Sequence, residues 1–358
     1  PFALAVSGAV RTSTAELGLK ANEGARVYLL PCIAGHVGAD AAAATLSEGP
    51  HRQDAMMLLV DVGTNAEIVL GNRSRVVAAS SPTGPAFEGA EISAGQRAAP
   101  GAIERVRIDP ETLEPRFRII GSDRWSDEDG FAADAARLGV TGICGSAIIE
   151  VVAEMYLSGI VSEDGVVDGA LAGRSPRIVP NGRTFSYLLH DGSPRIAVTQ
   201  NDVRAIQLAK AALYAGIRLL MEKQGIDHVD TIGFAGAFGS FIDPKYAMVL
   251  GLIPDCVLSE VKAVGNAAGT GALMALLNRE YRREIETTVK RIEKIETALE
   301  PSFQQLFVDA MAIPNRVDPF PNLAAEVALP PRRMATANGE AAPRRRSREE
   351  RAARRARD

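Results

Sequence analysis

Cysteine is scarce in this sequence, and the three that occur, Cys32, Cys144 and Cys256, lie far apart. They form no metal-ligand or disulfide spacing and suit a reducing compartment. Histidine is as sparse: no two of His36, His51, His190 and His228 are spaced as ligands of a metal. No apolar run reaches the roughly 18 residues of a membrane-spanning helix. No charged-then-apolar leader opens the chain, so a cytoplasmic protein with no membrane partner is expected. The P-loop pattern GxxxxGK[ST] is missing, and so is a GxGxxG that opens a helix after a strand. Charge is unevenly spread. Ten arginines against four acids from Arg332 to Asp358 give a local +6, which leaves −10 on residues 1–331. An acidic body argues against a nucleic-acid groove as the main function.

What is present suits a large α/β protein of one domain or two lobes, 358 residues long. It begins at Pro1-Phe2 without an initiator methionine, as a fragment or processed piece would. The most informative segments are LLVDVGTNAEIVL (residues 58–70) and TIGFAGAFGSF (residues 231–241). The first reads as a hairpin whose tight Gly63-Thr64-Asn65 turn follows an aspartate at the end of an apolar strand. The second reads as a buried strand running into a glycine-rich turn. Together they have the makings of two walls of a nucleotide cleft, although nothing before Leu58 supplies a matching hairpin.

Around them, strands are expected at residues 27–30, 58–62, 67–70, 75–81, 196–198, 231–234 and 261–264, with short edge strands at 106–108 and 116–120. Helices are expected within the alanine-rich residues 33–46 and at 145–158, at 244–250 and 268–278. A long helix should run from Gln200 to about Gln224 with Asn201 as its N-cap. Residues 82–101 read as an ordered loop with one helical turn. Residues 279–299 suit either a helix with i,i+4 ion pairs or, in part, an edge strand. Beyond about Pro314 the chain is proline-rich, then arginine-rich, and disorder is expected. The expected divisions are residues 1–50, 51–314 and 315–358.

The chemistry follows from residue type. A hairpin that holds phosphate needs backbone N–H groups pointing one way and little side-chain bulk. Gly63 supplies the permissive backbone, and Thr64 and Asn65 add a hydroxyl and an amide. Asp61 suits a Mg²⁺-bound water, because Mg²⁺ keeps most of its waters. The turn Gly236-Ala237-Phe238-Gly239 lets a ring or ribose approach the backbone. The set Thr141-Gly142-Ile143-Cys144-Gly145-Ser146 opens a helix, and Val264–Gly269 reads as close helix packing. The plain alternatives are an ordinary hairpin with a capping aspartate and close packing of strand on helix.

These blocks in this order resemble the actin/sugar-kinase/Hsp70 superfamily of ATPases, with its ribonuclease H-like fold, and one branch of it, the reductive activators of corrinoid proteins. The resemblance rests on residues 61–71 (DVGTNAEIVLG), 84–89 (GPAFEG), 97–103 (RAAPGAI), 142–146 (GICGS) and 265–269 (GNAAG). It spans roughly residues 3–314. It implies ATP-dependent return of a cobalamin protein from Co(II) to Co(I), with the corrinoid protein as partner. Asp61 would serve catalysis and Mg²⁺. Gly63, Thr64 and Asn65 would bind phosphate, and Gly84, Gly145, Gly236, Ala237 and Gly239 would complete the ATP site. The branch usually has glycine where Ala237 stands, and often where Ala147 stands. It also carries an N-terminal iron–sulfur domain and a first phosphate hairpin, neither of which is in this sequence, so the ATPase fold is expected to be partial. A homodimer would fit. Two alternatives stay open: a corrinoid-protein-binding module that hydrolyses nothing, and an activator ATPase of a radical dehydratase, for which no suitable cysteine pair is present.

Overall fold

The computed structural model describes residues 3–331. The first strands, β1 (Val10–Ser13) and β2 (Arg26–Leu29), pair antiparallel. Residues 33–38 then lead into helix α1 (Ala39–Glu48), which starts later than alanine density alone suggests. Strands β3 (Met57–Val62), β4 (Ala66–Gly71) and β5 (Val76–Ser81) form the expected meander.

A second sheet follows: β6 (Ala102–Ile108), β7 (Pro115–Ile119), then helix α2 (Phe131–Leu138) and the short β8 (Gly142–Ile143). Its order is β7-β6-β8, so the strand expected as an edge at residues 106–108 is central and longer. Helix α3 (Gly145–Leu157) packs along β6. A third small sheet, β9 (Ile178–Asn181), β10 (Thr184–Asp191) and β11 (Arg195–Val198), precedes the long helix α4 (Gln200–Gln224). The N-cap of α4 is Thr199 and not Asn201. Thr199 accepts from the Asp202 N–H while Asp202 accepts from the Thr199 N–H, a reciprocal pair that a side chain already inside the helix cannot make.

Then come β12 (Thr231–Ala235), a single helical turn α5 (Gly236–Gly239), α6 (Pro244–Leu250), β13 (Val261–Gly265), α7 (Ala267–Leu277), α8 (Arg279–Thr288) and β14 (Glu293–Lys294). Residues 279–299 thus hold both alternatives in turn, a helix and then an edge strand. The central sheet runs β13-β12-β3-β4-β5-β14, and only β4 is reversed. Alternation of side chains sorts its strands between two cores. Leu58, Val60, Ile68 and Leu70 face α3 and α4, while Met57, Leu59, Val69 and Ala78 face α1, α7 and α8. Covering both faces explains why β3 is apolar throughout until Asp61. Helices α1 and α7 meet so closely that a Cβ at Gly271 would lie 1.9 Å from the Ala43 carbonyl oxygen.

The disorder expected from residue 315 is corrected for residues 315–331. Asn315, Phe320, Leu323 and Val327 are buried; helix α9 (Phe303–Asp309) precedes this strap and helix α10 (Pro321–Glu326) lies within it. The fully buried Lys210 donates to the carbonyls of Ala312 and Pro314, Tyr214 donates to Asp318, and Asp255 accepts from the N–H groups of Asn322 and Leu323. Burial without a counter-charge pushes the Lys210 ammonium well below its ordinary range. The arginine-rich remainder lies outside the described residues.

Candidate nucleotide site

In a mostly parallel sheet, ligands gather beyond the carboxyl ends of the strands. Here that edge carries Asp61 at the end of β3, Gly236 just past β12 and Gly265 at the end of β13. Because β3 and β12 are parallel neighbours with Asp61 opposite Ala235, the two segments singled out in the sequence touch. Gly236 adopts φ +83°, and a Cβ there would sit 2.5 Å from Asp61 Oδ1. Glycine is required on both counts.

The hairpin turn is held from behind. The Thr83 hydroxyl donates to the carbonyls of Gly63 (2.7 Å) and Thr64 (3.1 Å), and the Gly84 N–H donates to Thr64 O (2.9 Å). In a trans peptide the C=O and the following N–H point in opposite directions. Tying these two carbonyls inward therefore turns the N–H groups of Thr64 and Asn65 outward. Among the described residues neither N–H meets an acceptor. Gly63 itself is not left-handed. Its Cβ would lie 3.3 Å from Asn65 O, so it is glycine for space. The Thr64 hydroxyl, expected as a free donor, instead donates to Glu88 at 2.8 Å.

The remaining glycines close a ring of contacts behind this edge. Gly84, at φ +72°, starts the turn Pro85–Glu88 that carries Glu88. A Cβ at Gly145 would strike the Phe87 carbonyl at 2.2 Å and the Phe238 ring at 2.5 Å, so Gly145 is buried packing between the Pro85–Glu88 turn and α5. Gly239 presses on the β12 backbone at Phe234, whereas Ala237 is exposed.

Sequence reasoning missed three residues here. Glu67 lies directly opposite Asp61 on β4. Counting back from a three-residue turn pairs 62 with 66 and 61 with 67, so the signal was in the spacing. Asp40, in the first turn of α1, adds its charge to both, and Thr83 anchors the turn; neither leaves a local mark in the sequence. Burial first, then the Asp40 charge, raises Asp61 above the usual carboxylate range. Burial, with Asp40 and Asp61, pushes Glu67 up to about 7. Among the described residues no cation or hydrogen-bond donor reaches Asp61, and no three potential ligands converge as a ready metal cage.

Comparison with known proteins decides the family. Residues 55–324 match the family model described as the C-terminal domain of RACo, the ASKHA domain, and residues 1–53 match the RACo middle region. The chain belongs to this family. It is 33% identical over 320 residues to the corrinoid activation enzyme RamQ of Eubacterium limosum, covering 86% of this chain and 51% of that protein. It is 28% identical over 269 residues to the [Co(II) methylated amine-specific corrinoid protein] reductase of Methanosarcina barkeri, covering 74% and 47%. A solved reductive activator for corrinoid, iron-sulfur protein superposes with a TM-score of 0.74 at 30% identity, over 87% of this chain and 48% of that one. The chain thus spans about half the length of the relatives it matches. The resemblance to reductive activators of corrinoid proteins and the ASKHA-type α/β fold both hold. No helix among the described residues is long and apolar enough to cross a membrane.

Proposed function

We propose that this chain is the nucleotide-binding part of a reductive activator that uses ATP to return a corrinoid protein from Co(II) to Co(I). The observation that carries the reading is the pair of outward N–H groups at Thr64 and Asn65 beside the unpartnered carboxylate of Asp61. Such a pair suits phosphate oxygens, and the carboxylate suits the water shell of a Mg²⁺ ion. With the ion bound, its positive charge would neutralise the phosphates. Gly236 and Gly239, with the exposed Ala237, leave backbone open to the nucleoside, and Gly84 and Gly145 hold the turn and corner in place. Asp61 and Glu67 would then become fully ionised against the cation.

The cobalt belongs to the partner, and its gain of one electron needs a low-potential donor. We assign that donor to an iron–sulfur cluster in a domain outside this sequence. We read residues 1–50 as the remainder of a first ATPase lobe and residues 51–314 as the second. A homodimer and a cytoplasmic location belong to the same proposal. The upstream hairpin β1–β2 is joined by residues 14–25 and offers no tight glycine turn, which favours weak hydrolysis, or none, by this chain alone.

Titration of ATP–Mg²⁺ into the protein and into an Asp61→Ala variant tests the site. Weak binding, reduced by the substitution, is expected. Identical titrations would remove Asp61 from the role.

A further inference from the structure

The glycine turn that touches Asp61 ends in a feature that packing does not explain. Among the described residues every other Phe, Tyr and Trp is buried or half-buried, but Phe241 is 60% exposed. Its backbone is nevertheless fixed on all sides. The Phe241 N–H donates to Phe238 O at 3.0 Å, the Ile242 N–H to Gly239 O at 3.3 Å, and the Ser240 hydroxyl to Gly236 O at 2.9 Å. The Phe241 carbonyl accepts from the Arg105 guanidinium at 3.1 Å. Arg105 is itself held at 2.7 Å by Glu150, whose side chain is wholly buried. Gly239 lies against the β12 backbone, where an added Cβ would be 3.2 Å from the Phe234 carbonyl carbon, so the turn that carries Phe241 is packed on the strand. A phenyl group presented to solvent on so constrained a backbone is a preorganised contact surface.

We propose that Phe241 is the platform on which the base of the bound nucleotide stacks. The inference rests on the nucleotide reading of the site and deepens it. Gly236 and Phe241 are separated by one helical turn and a bend, about 8 Å at a helical rise. Gly236 itself lies against Asp61, so this span leads from the carboxylate assigned to the cation to the ring offered to the base. Aromatic stacking accepts any base through its π-face, so Phe241 contributes affinity for the nucleoside, while purine selectivity rests elsewhere.

Calorimetric titration of wild type, Phe241→Ala and Phe241→Trp with ATP–Mg²⁺ and with tripolyphosphate–Mg²⁺ separates base from phosphate. The exposed position lets the alanine variant keep its fold. Phe241→Ala should lose about tenfold in ATP affinity and bind tripolyphosphate as wild type does. Phe241→Trp should keep ATP affinity, and its added indole fluorescence should be quenched by ATP but not by tripolyphosphate. Equal ATP affinity of wild type and Phe241→Ala, or wild-type binding of tripolyphosphate as tight as that of ATP, would overturn the platform while leaving a phosphate site. Wild type that binds neither probe would overturn the nucleotide reading and the platform with it.

Discussion

Two groups of acids, Glu150 and Glu154 on α3 and Asp61 and Glu67 on β3 and β4, are treated differently by the fold. Glu150 is wholly buried, and it is met by Arg105 and Arg107 at 2.7 Å each and by the Val106 N–H at 2.9 Å. Glu154, one turn on, accepts from the Ile108 N–H and the Tyr246 hydroxyl. Asp61 and Glu67 are half-buried, next to Asp40, and Glu67 meets no cation, only a 3.4 Å contact from Ser80 and its own backbone N–H. A carboxylate that builds structure has its lone pairs satisfied by the fold. One left uncompensated at a strand end lowers stability until a ligand supplies the charge.

The contrast can be broken most forcefully at Glu150. Replacing it by alanine leaves two arginines and a backbone N–H without their acceptor, and urea unfolding should show a loss of about 3–5 kcal/mol. A loss below about 1 kcal/mol would make the cluster a surface network. Gly236→Ala should cost about 1–3 kcal/mol, because alanine resists φ +83° and its methyl meets Asp61. ATP binding should fall with it, since Asp61 must rotate away. Asp61→Asn should have the opposite sign to Glu150→Ala. In metal-free buffer it relieves burial of charge and raises stability by less than about 1 kcal/mol, the half-exposed setting screening the effect. Destabilisation by Asp61→Asn would place Asp61 with the structural acids.

The smallest effect is one of pH. Glu67 has its folded-state value raised from an ordinary 4.5 to about 7. The folded protein therefore holds this proton more tightly than the unfolded chain. Stability from this group is fully present below about 4.5 and is lost as pH rises through about 7. Glu67→Gln removes that loss, so its melting temperature should exceed wild type by about 2–4 °C at pH 8 and match it at about pH 4. An equal difference at both values would show that the carboxyl does not titrate in this range.

The site was largely legible where glycine and apolar runs made it so. The wholly apolar strand before Asp61 and the glycine corner after Phe234 each mark backbone that must come close to something, and they proved to be neighbours in one parallel pair. Glu67 was legible by counting across the turn. The Thr83 anchor and the Arg105–Glu150 pair were not, because their partners lie 19–20 and 45 residues away. Strand β9 escaped notice because Pro180 sits in it, tolerated at the edge of its sheet. Helix α2 has Gly130 as its N-cap, with no side-chain cap bond, and so gives no start signal. The strap of residues 315–331 looked unstructured because its proline-rich composition hides its partners, among them Tyr214 on α4 and Asp255.

A crystal structure of the protein with Mg²⁺ and a non-hydrolysable ATP analogue tests the account most directly. It should show phosphate oxygens accepting from the N–H groups of Thr64 and Asn65, with Asp61 hydrogen-bonded to a water of the metal. A nucleotide seated elsewhere, with Asp61 facing solvent and the turn untouched, would contradict it.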